Sequence, residues 1–95
     1  MAIFVILSRI SPDAFNTPAD FKAIATQVSE RIRAECPSVT IKESFSTLGR
    51  FDFVDIVEAD DPKQVAKASM IIRSVGHSVT ETLPATPWAE FLKTL

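Results

Sequence analysis

The side chain with the clearest chemical potential is Asp55, a carboxylate in the middle of a segment that the pattern predicts to be a strand covered on both faces. An unpaired carboxylate in such a place costs several kcal/mol or takes up a proton. Two interpretations stay open. Asp55 is either a pocket carboxylate between two packed sheets that orients an amine or acts as a general base, or a carboxylate satisfied by a neighbouring Thr, Lys or Arg.

Further candidate groups lie close to Asp55. Arg50 and Asp52 flank Phe51 at a predicted hairpin, where opposite charges could recognise a zwitterion such as an amino acid or could form an ion pair that stabilises the turn. Glu81, in an alternating segment, either reaches the same pocket or faces solvent at a sheet edge. The candidate ligand-binding residues are Arg50, Phe51, Asp52, Phe53, Asp55 and Glu81.

Other reactive residue types give weaker signals. His77 could be a haem or metal ligand, but it has no second N or S ligand at metal spacing, which favours a surface-loop histidine. The acidic residues Glu58, Asp60 and Asp61 resemble a hard-cation site only loosely, because helix capping accounts for two of them. Cys36 has no second cysteine to pair with, which favours a structural role. We therefore predict no metal, no cofactor and no nucleophilic catalysis.

Length and composition limit the class of protein. A chain of 95 residues with 46% hydrophobic and 23% charged residues is expected to fold as a single domain over residues 1–95. The net charge of −2 and the lack of a Lys/Arg cluster argue against nucleic acid as a partner. The apolar run at residues 2–7 is too short to span a membrane or to form a signal-peptide core, so a cytoplasmic location is expected.

Hydrophobic periodicity predicts six main elements in the order strand, helix, strand, strand, helix, strand. Thr17-Pro18 and Asp61-Pro62 each place a capping side chain directly before a proline, which is typical of helix starts. The tail at 85–95 predicts a short amphipathic helix that docks on the domain or on a neighbouring subunit. The predicted strands span 2–7, 39–45, 51–58 and 78–83, and the predicted helices run from 18 to just before Pro37 and from 62 to near Gly76.

This order is typical of an α+β, ferredoxin-like fold with a four-stranded antiparallel sheet. Right-handed crossovers place both helices on one face of the sheet and leave the other face open. The segments 3–7 and 51–57, expected at the sheet centre, are apolar in both registers. An apolar face of that kind usually marks an interaction site, so we expect a homodimer or larger homo-oligomer that covers it; the alternative is that the tail folds back over its own sheet.

The run from Thr47 to Val54 resembles the GYD-domain family, small prokaryotic proteins named for a Gly-Tyr-Asp-type motif. Gly49-Arg50-Phe51-Asp52 occupies the motif position with Phe51 for the usual Tyr, and Gly76-His77-Ser78-Val79 stands where the family tends to have Gly-Asn-Val. The resemblance continues to Thr80-Glu81-Thr82-Leu83. It implies a dimeric α+β barrel similar to the ligand-binding domain of leucine-responsive regulators, and it brings no settled activity.

Three functional hypotheses follow, the third being an interaction subunit that serves an unrelated protein. The first is a non-enzymatic small-metabolite-binding or assembly module, in which paired sheets enclose a small apolar cleft. The second is a small cofactor-independent oxygenase or isomerase that acts on an aromatic or quinone-like compound, and only the analogy of fold supports it.

Overall fold

The computed structural model describes residues 2–95 and contains a single four-stranded antiparallel sheet with two long helices and one short helix. This confirms the predicted ferredoxin-like order of strands and helices. The elements are β1 (Ala2–Ile10), α1 (Pro18–Glu35), β2 (Thr40–Ser46), β3 (Phe53–Ala59), α2 (Pro62–Ser74), β4 (Ser78–Ala85) and α3 (Trp88–Leu92).

The strands lie in the order β2-β3-β1-β4, so β1 and β3 are the two central strands, as predicted. Leu7 of β1 is opposite both Val54 of β3 and Glu81 of β4, which fixes the side chains that share a face. Two strands extend further than predicted. In β1, the polar pair Ser8-Arg9 ends the apolar run of the sequence, but the strand continues through it. In β4, the strand continues through Pro84, which is tolerated because β4 is at the edge of the sheet.

Both long helices begin at the predicted caps. The Thr17 hydroxyl accepts a hydrogen bond from the Asp20 amide, and the Asp20 carboxylate accepts one from the Thr17 amide, which forms a reciprocal capping box. Asp61 caps α2 by accepting a hydrogen bond from the Lys63 amide. The capping residues therefore satisfy backbone donors that the first helical turn leaves free.

The core lies between the helices and one face of the sheet. Ile6 of β1 and Val57 of β3 are almost fully buried there, together with Val65 of α2. The Ser69 hydroxyl donates to the Val65 carbonyl and lies 2.9 Å from the Thr82 hydroxyl, which links α2 to β4. The buried apolar residues are Ile6, Ile32, Cys36, Val39, Val57, Ala59, Val65, Ala68, Ile71 and Ile72.

The opposite face of the sheet is apolar and carries no helix. Side chains alternate along a strand, so the neighbours of Ile6 and Val57 point away from the core. These neighbours are only partly buried, whereas Ile6 and Val57 are 1% exposed. We call this surface the open face; its apolar residues are Ile3, Val5, Leu7, Val54, Ile56, Val79, Leu83 and Ala85.

The tail forms the predicted short helix, α3, and no Cα atom of this helix lies within 8 Å of a Cα atom in any other helix or strand of residues 2–95. Trp88 is 71% exposed and Leu95 is 85% exposed. The tail therefore does not cover the sheet of its own chain, which was the alternative to self-association. No helix within residues 2–95 is long and apolar enough to cross a membrane.

Candidate functional site

A cleft of about 760 Å³ lies between α1 and the β2–β3 half of the sheet. The cleft exists because α1 lies farther from the sheet than α2 does. No Cα atom of α1 is within 8 Å of a strand Cα atom, whereas α2 comes that close to β1, β3 and β4. Apolar side chains from both layers form most of the wall, chiefly Ile24, Val28 and Ile32 from α1 and Ile6, Ile41 and Val57 from the sheet.

Asp55 lines this cleft. It is opposite Ile6 in the sheet register, so its side chain points toward the helices and not toward the open face. Of the two interpretations of Asp55, the pocket between two packed sheets does not fit this orientation, because the side chain faces α1. The Ser44 hydroxyl donates to the Asp55 carboxylate at 2.5 Å. Burial raises the pKa of the Asp55 carboxyl above its ordinary value, while the hydrogen bond from Ser44 acts in the opposite direction.

Ser8 is a second polar group in the cleft, and sequence reasoning missed it. Its side chain is 2% exposed, and its hydroxyl has no hydrogen-bond partner among the described residues. A buried hydroxyl normally has a partner, since leaving it unpaired costs about 1–3 kcal/mol. The signal was a serine at an inward position, two residues after Ile6, but the prediction ended the strand at Leu7 and so discarded it.

Phe53 also lines the cleft, and its ring stacks on Phe21 of α1 with centroids 4.9 Å apart and planes 8° apart. The Phe15 ring also packs on the Phe21 ring, with centroids 5.5 Å apart and planes tilted by 51°. Phe53 therefore points toward the helices, and it cannot contribute directly to an interface on the open face. The aromatic stack holds the start of α1 against β3 while the middle of α1 stays away from the sheet.

Three other predicted residues lie at a separate hollow of about 270 Å³. Arg50, Phe51 and Glu81 line it together with Arg9 and Val79. The Arg50 guanidinium lies 5.3 Å from the centroid of the Phe51 ring, a cation–π geometry. The candidate residues thus form two groups on different parts of the molecule, with only Phe53 and Asp55 in the cleft.

Asp52 belongs to neither group. Its carboxylate accepts a hydrogen bond from the Ile10 amide at 2.9 Å, and its own amide donates to the Ser8 carbonyl. It therefore joins the start of β3 to the end of β1. The ion pair considered between Arg50 and Asp52 does not form. Both ion pairs found within residues 2–95 involve Glu35.

The family model of the GYD domain matches residues 4–95. The chain belongs to the GYD-domain family. A curated relative, the glutamine synthetase and cystathionine beta-lyase binding protein of Thermus thermophilus, is 30% identical over 95 residues, which is 100% of this chain and 99% of the relative.

Two solved structures share the fold of this GYD domain. The leucine response regulatory protein LrpA of Mycobacterium tuberculosis superposes with a TM-score of 0.62 at 14% identity, over 90% of this chain and 51% of that chain, so this chain spans about half of the regulator. The protein TTHA0845 of Thermus thermophilus gives a TM-score of 0.57 at 20% identity, over 92% of this chain and 95% of that one. The expected likeness to leucine-responsive regulators is confirmed for the fold.

The other reactive residues of the GYD domain, His77 and Cys36, lie at positions where the backbone or the core accounts for them. His77 is exposed and has a φ of +50°, a left-handed conformation that His adopts more often than most residues other than glycine. Cys36 ends α1 and is fully buried, and burial raises the pKa of its thiol, which keeps it in the unreactive form. Within residues 2–95, no three His, Cys, Asp or Glu side chains are grouped to hold a metal ion.

The raised pKa of Asp55 predicts how stability depends on pH. The folded chain holds the Asp55 proton to a higher pH than the unfolded chain, so the free energy of unfolding falls as pH rises from the ordinary Asp pKa, about 3.9, through the raised value. Asp55→Asn removes this penalty and still accepts a hydrogen bond from Ser44. We expect the variant to be more stable than the wild type near pH 7 and equally stable near pH 3, measured by urea unfolding.

Arg33 is the other charged side chain that lines the cleft, and it is exposed on α1. Arg33→Gln is therefore the control for an electrostatic contribution from α1, and we expect it to leave the pH dependence unchanged. An Asp55→Asn variant that is no more stable than the wild type near pH 7 would contradict a raised pKa for the Asp55 carboxyl.

Proposed function

We propose that this protein is a non-enzymatic binding module that works as a homodimer and binds another protein. The open face of the sheet is the observation that carries this proposal. Ile3, Val5 and Leu7 of β1 lie beside Val54 and Ile56 of β3 in one continuous apolar surface. No segment of residues 2–95 covers this surface, and burying it against an equivalent surface gains about 25 cal/mol per Å².

A second copy of the chain is the occupant that this face fits best. A two-fold interface must be complementary to itself. Glu58 lies beside Ile3 at one end of the face, whereas at the other end the two cations Arg9 and Arg50 share the small hollow with one carboxylate, Glu81, which leaves that end basic. Two sheets that stack with their strands reversed would therefore bring the basic end of each copy over the acidic end of the other.

The C-terminal segment supports the second part of the proposal, a protein partner. Its apolar side chains are exposed, and the Trp88 ring lies beside the Phe91 ring with centroids 5.6 Å apart. Exposed Trp residues are frequent energetic centres of protein interfaces. The Thermus relative is named for binding glutamine synthetase and cystathionine beta-lyase, and we extend this property to the present chain. The exposed apolar residues of the segment are Trp88, Phe91, Leu92 and Leu95.

Binding to the two enzymes tests the proposal. We expect the chain to bind purified glutamine synthetase or cystathionine beta-lyase from the organism that encodes it, measured by surface plasmon resonance. Trp88→Ala should weaken that binding by roughly 30-fold, since loss of a hot-spot residue costs about 2 kcal/mol or more. Met70→Ala is the matched control, because Met70 is also an exposed apolar residue but lies on α2. The proposal is contradicted if the chain binds neither enzyme, or if the Trp88→Ala variant binds as tightly as the wild type.

The enzymatic alternative, a cofactor-independent oxygenase or isomerase, has Asp55 as its supporting observation. A buried carboxylate with a raised pKa can act as a general base. Its hydrogen-bond partner Ser44 and its diagonal neighbour Ser8 each carry a hydroxyl group, which is uncharged. We prefer the binding module because a cleft of this composition can hold a molecule without transforming it.

A further inference from the structure

The cleft under α1 is independent of the proposed dimer, because it lies on the helix-bearing side of the sheet. Its volume of about 760 Å³ falls within the range of about 300–1,000 Å³ that is usual for small-molecule sites. The side chains that α1 contributes are mostly aliphatic, with Ile24, Val28 and Ile32 facing the sheet. Such walls suit the apolar body of a small molecule.

A buried polar group, Ser8, and a partly buried one, Asp55, interrupt this apolar wall on adjacent strands. Asp55 and Phe53 are on β3, and Ser8 is opposite Phe53 on β1, so Ser8 and Asp55 are diagonal neighbours on the same face. Diagonal neighbours in an antiparallel pair are roughly 7–8 Å apart. The Asp55 carboxylate has one hydrogen bond, from Ser44, and therefore keeps acceptor capacity. The Ser8 hydroxyl has no partner within residues 2–95.

The charges of the cleft decide the class of molecule. Asp55 is the less exposed of its two charged side chains, being partly buried, whereas Arg33 is exposed on α1 and is screened by solvent. A cationic donor would satisfy the free acceptor positions of Asp55 with a charge-assisted hydrogen bond. We propose that the cleft binds a small primary amine with an apolar body, whose ammonium group donates to Asp55 while a second polar atom of the larger natural ligand bonds to Ser8.

Three probes that share a phenyl body but differ in their polar group test this inference. They are phenethylamine, the neutral 2-phenylethanol and the anionic 3-phenylpropionate. The proposal predicts that phenethylamine binds at least about tenfold more tightly than 2-phenylethanol, and that 3-phenylpropionate binds most weakly. Isothermal titration calorimetry gives the affinities, and backbone amide NMR shifts around Asp55, Ser44 and Val28 locate the site.

Substitutions then assign the interaction. Asp55→Asn keeps the size of the side chain and should reduce the affinity for phenethylamine about tenfold while leaving 2-phenylethanol unchanged. Glu30→Gln removes an exposed carboxylate of α1 that does not line the cleft and is the matched control, with no expected effect on any probe. Equal affinity of the three probes, an unaffected Asp55→Asn variant, or shifts confined to the open face would each overturn the inference. None of these outcomes depends on whether the chain dimerises.

Discussion

Replacing Ile56 with Glu is expected to turn the proposed dimer into a monomer, with the dissociation constant raised by at least about 100-fold. Ile56 lies in the middle of the open face, directly opposite Val5 in the central strand pair. A carboxylate at that position would have to lose its water inside an apolar interface, which costs several kcal/mol. The fold of the single chain should be retained, because the side chain points away from α1 and α2. Light scattering after gel filtration, over a dilution series, measures the change.

Ala23→Glu is the control for this substitution. Ala23 is exposed on α1 and is not part of the cleft wall, so the variant adds the same charge on the side of the molecule that bears the helices. Its association should equal that of the wild type. If Ile56→Glu associates as strongly as Ala23→Glu, the open face is not the interface.

Replacing Gly76 with Ala is expected to lower the free energy of unfolding by about 1–3 kcal/mol. Gly76 is buried directly after α2, and an added Cβ atom would lie 2.4 Å from the Ile72 carbonyl oxygen and 3.2 Å from a methyl group of Val28. The first of these neighbours is backbone and cannot rotate away. The end of α2 would have to shift from its position between α1 and β4. Urea unfolding followed by circular dichroism measures the loss.

Gly49→Ala separates this clash from the general cost of replacing glycine. Gly49 has a φ of +144° and nothing within 4 Å of its added Cβ atom, so its replacement strains the backbone without a steric contact. A Gly76→Ala variant with wild-type stability would mean that α2 ends differently from the arrangement described.

The order of the elements was predictable because each one has a local cause. The proline-preceding caps at Thr17 and Asp61 mark helix starts by chemistry alone, and both helices begin where predicted. The central position of β1 and β3 follows from apolar residues in both registers. The strand ends were less predictable, since Ser8 and Arg9 look like a boundary in sequence while their backbone continues to pair with β4.

The side chains that share a site were less predictable, and Asp55 shows why. A strand that is apolar on both faces contains no periodicity to say which residues point toward the helices. The pairing of Asp55 with Ser44 also depends on a register shift between Ile41 and Glu43, which the sequence does not reveal. The cleft itself arises from the distance between α1 and the sheet, a property of tertiary packing.

The separation of Arg50 and Phe51 from Asp55 has a similar origin. Proximity in the sequence suggested a common pocket, but the end of a strand and its middle are different places on a sheet. Arg50 and Phe51 lie before the start of β3, beside Val79 of β4, whereas Asp55 is in the interior of β3 under α1. Arg50 and Phe51 are thus close to Asp55 in the sequence but line a different surface.

Sedimentation equilibrium of the unmodified chain over a wide range of concentration is the most direct measurement of self-association through the open face. The proposed dimer predicts a mass of twice the chain mass of 10.4 kDa at micromolar concentration, with dissociation only on strong dilution. A mass of 10.4 kDa at every concentration, from a chain that stays folded and soluble, would contradict it.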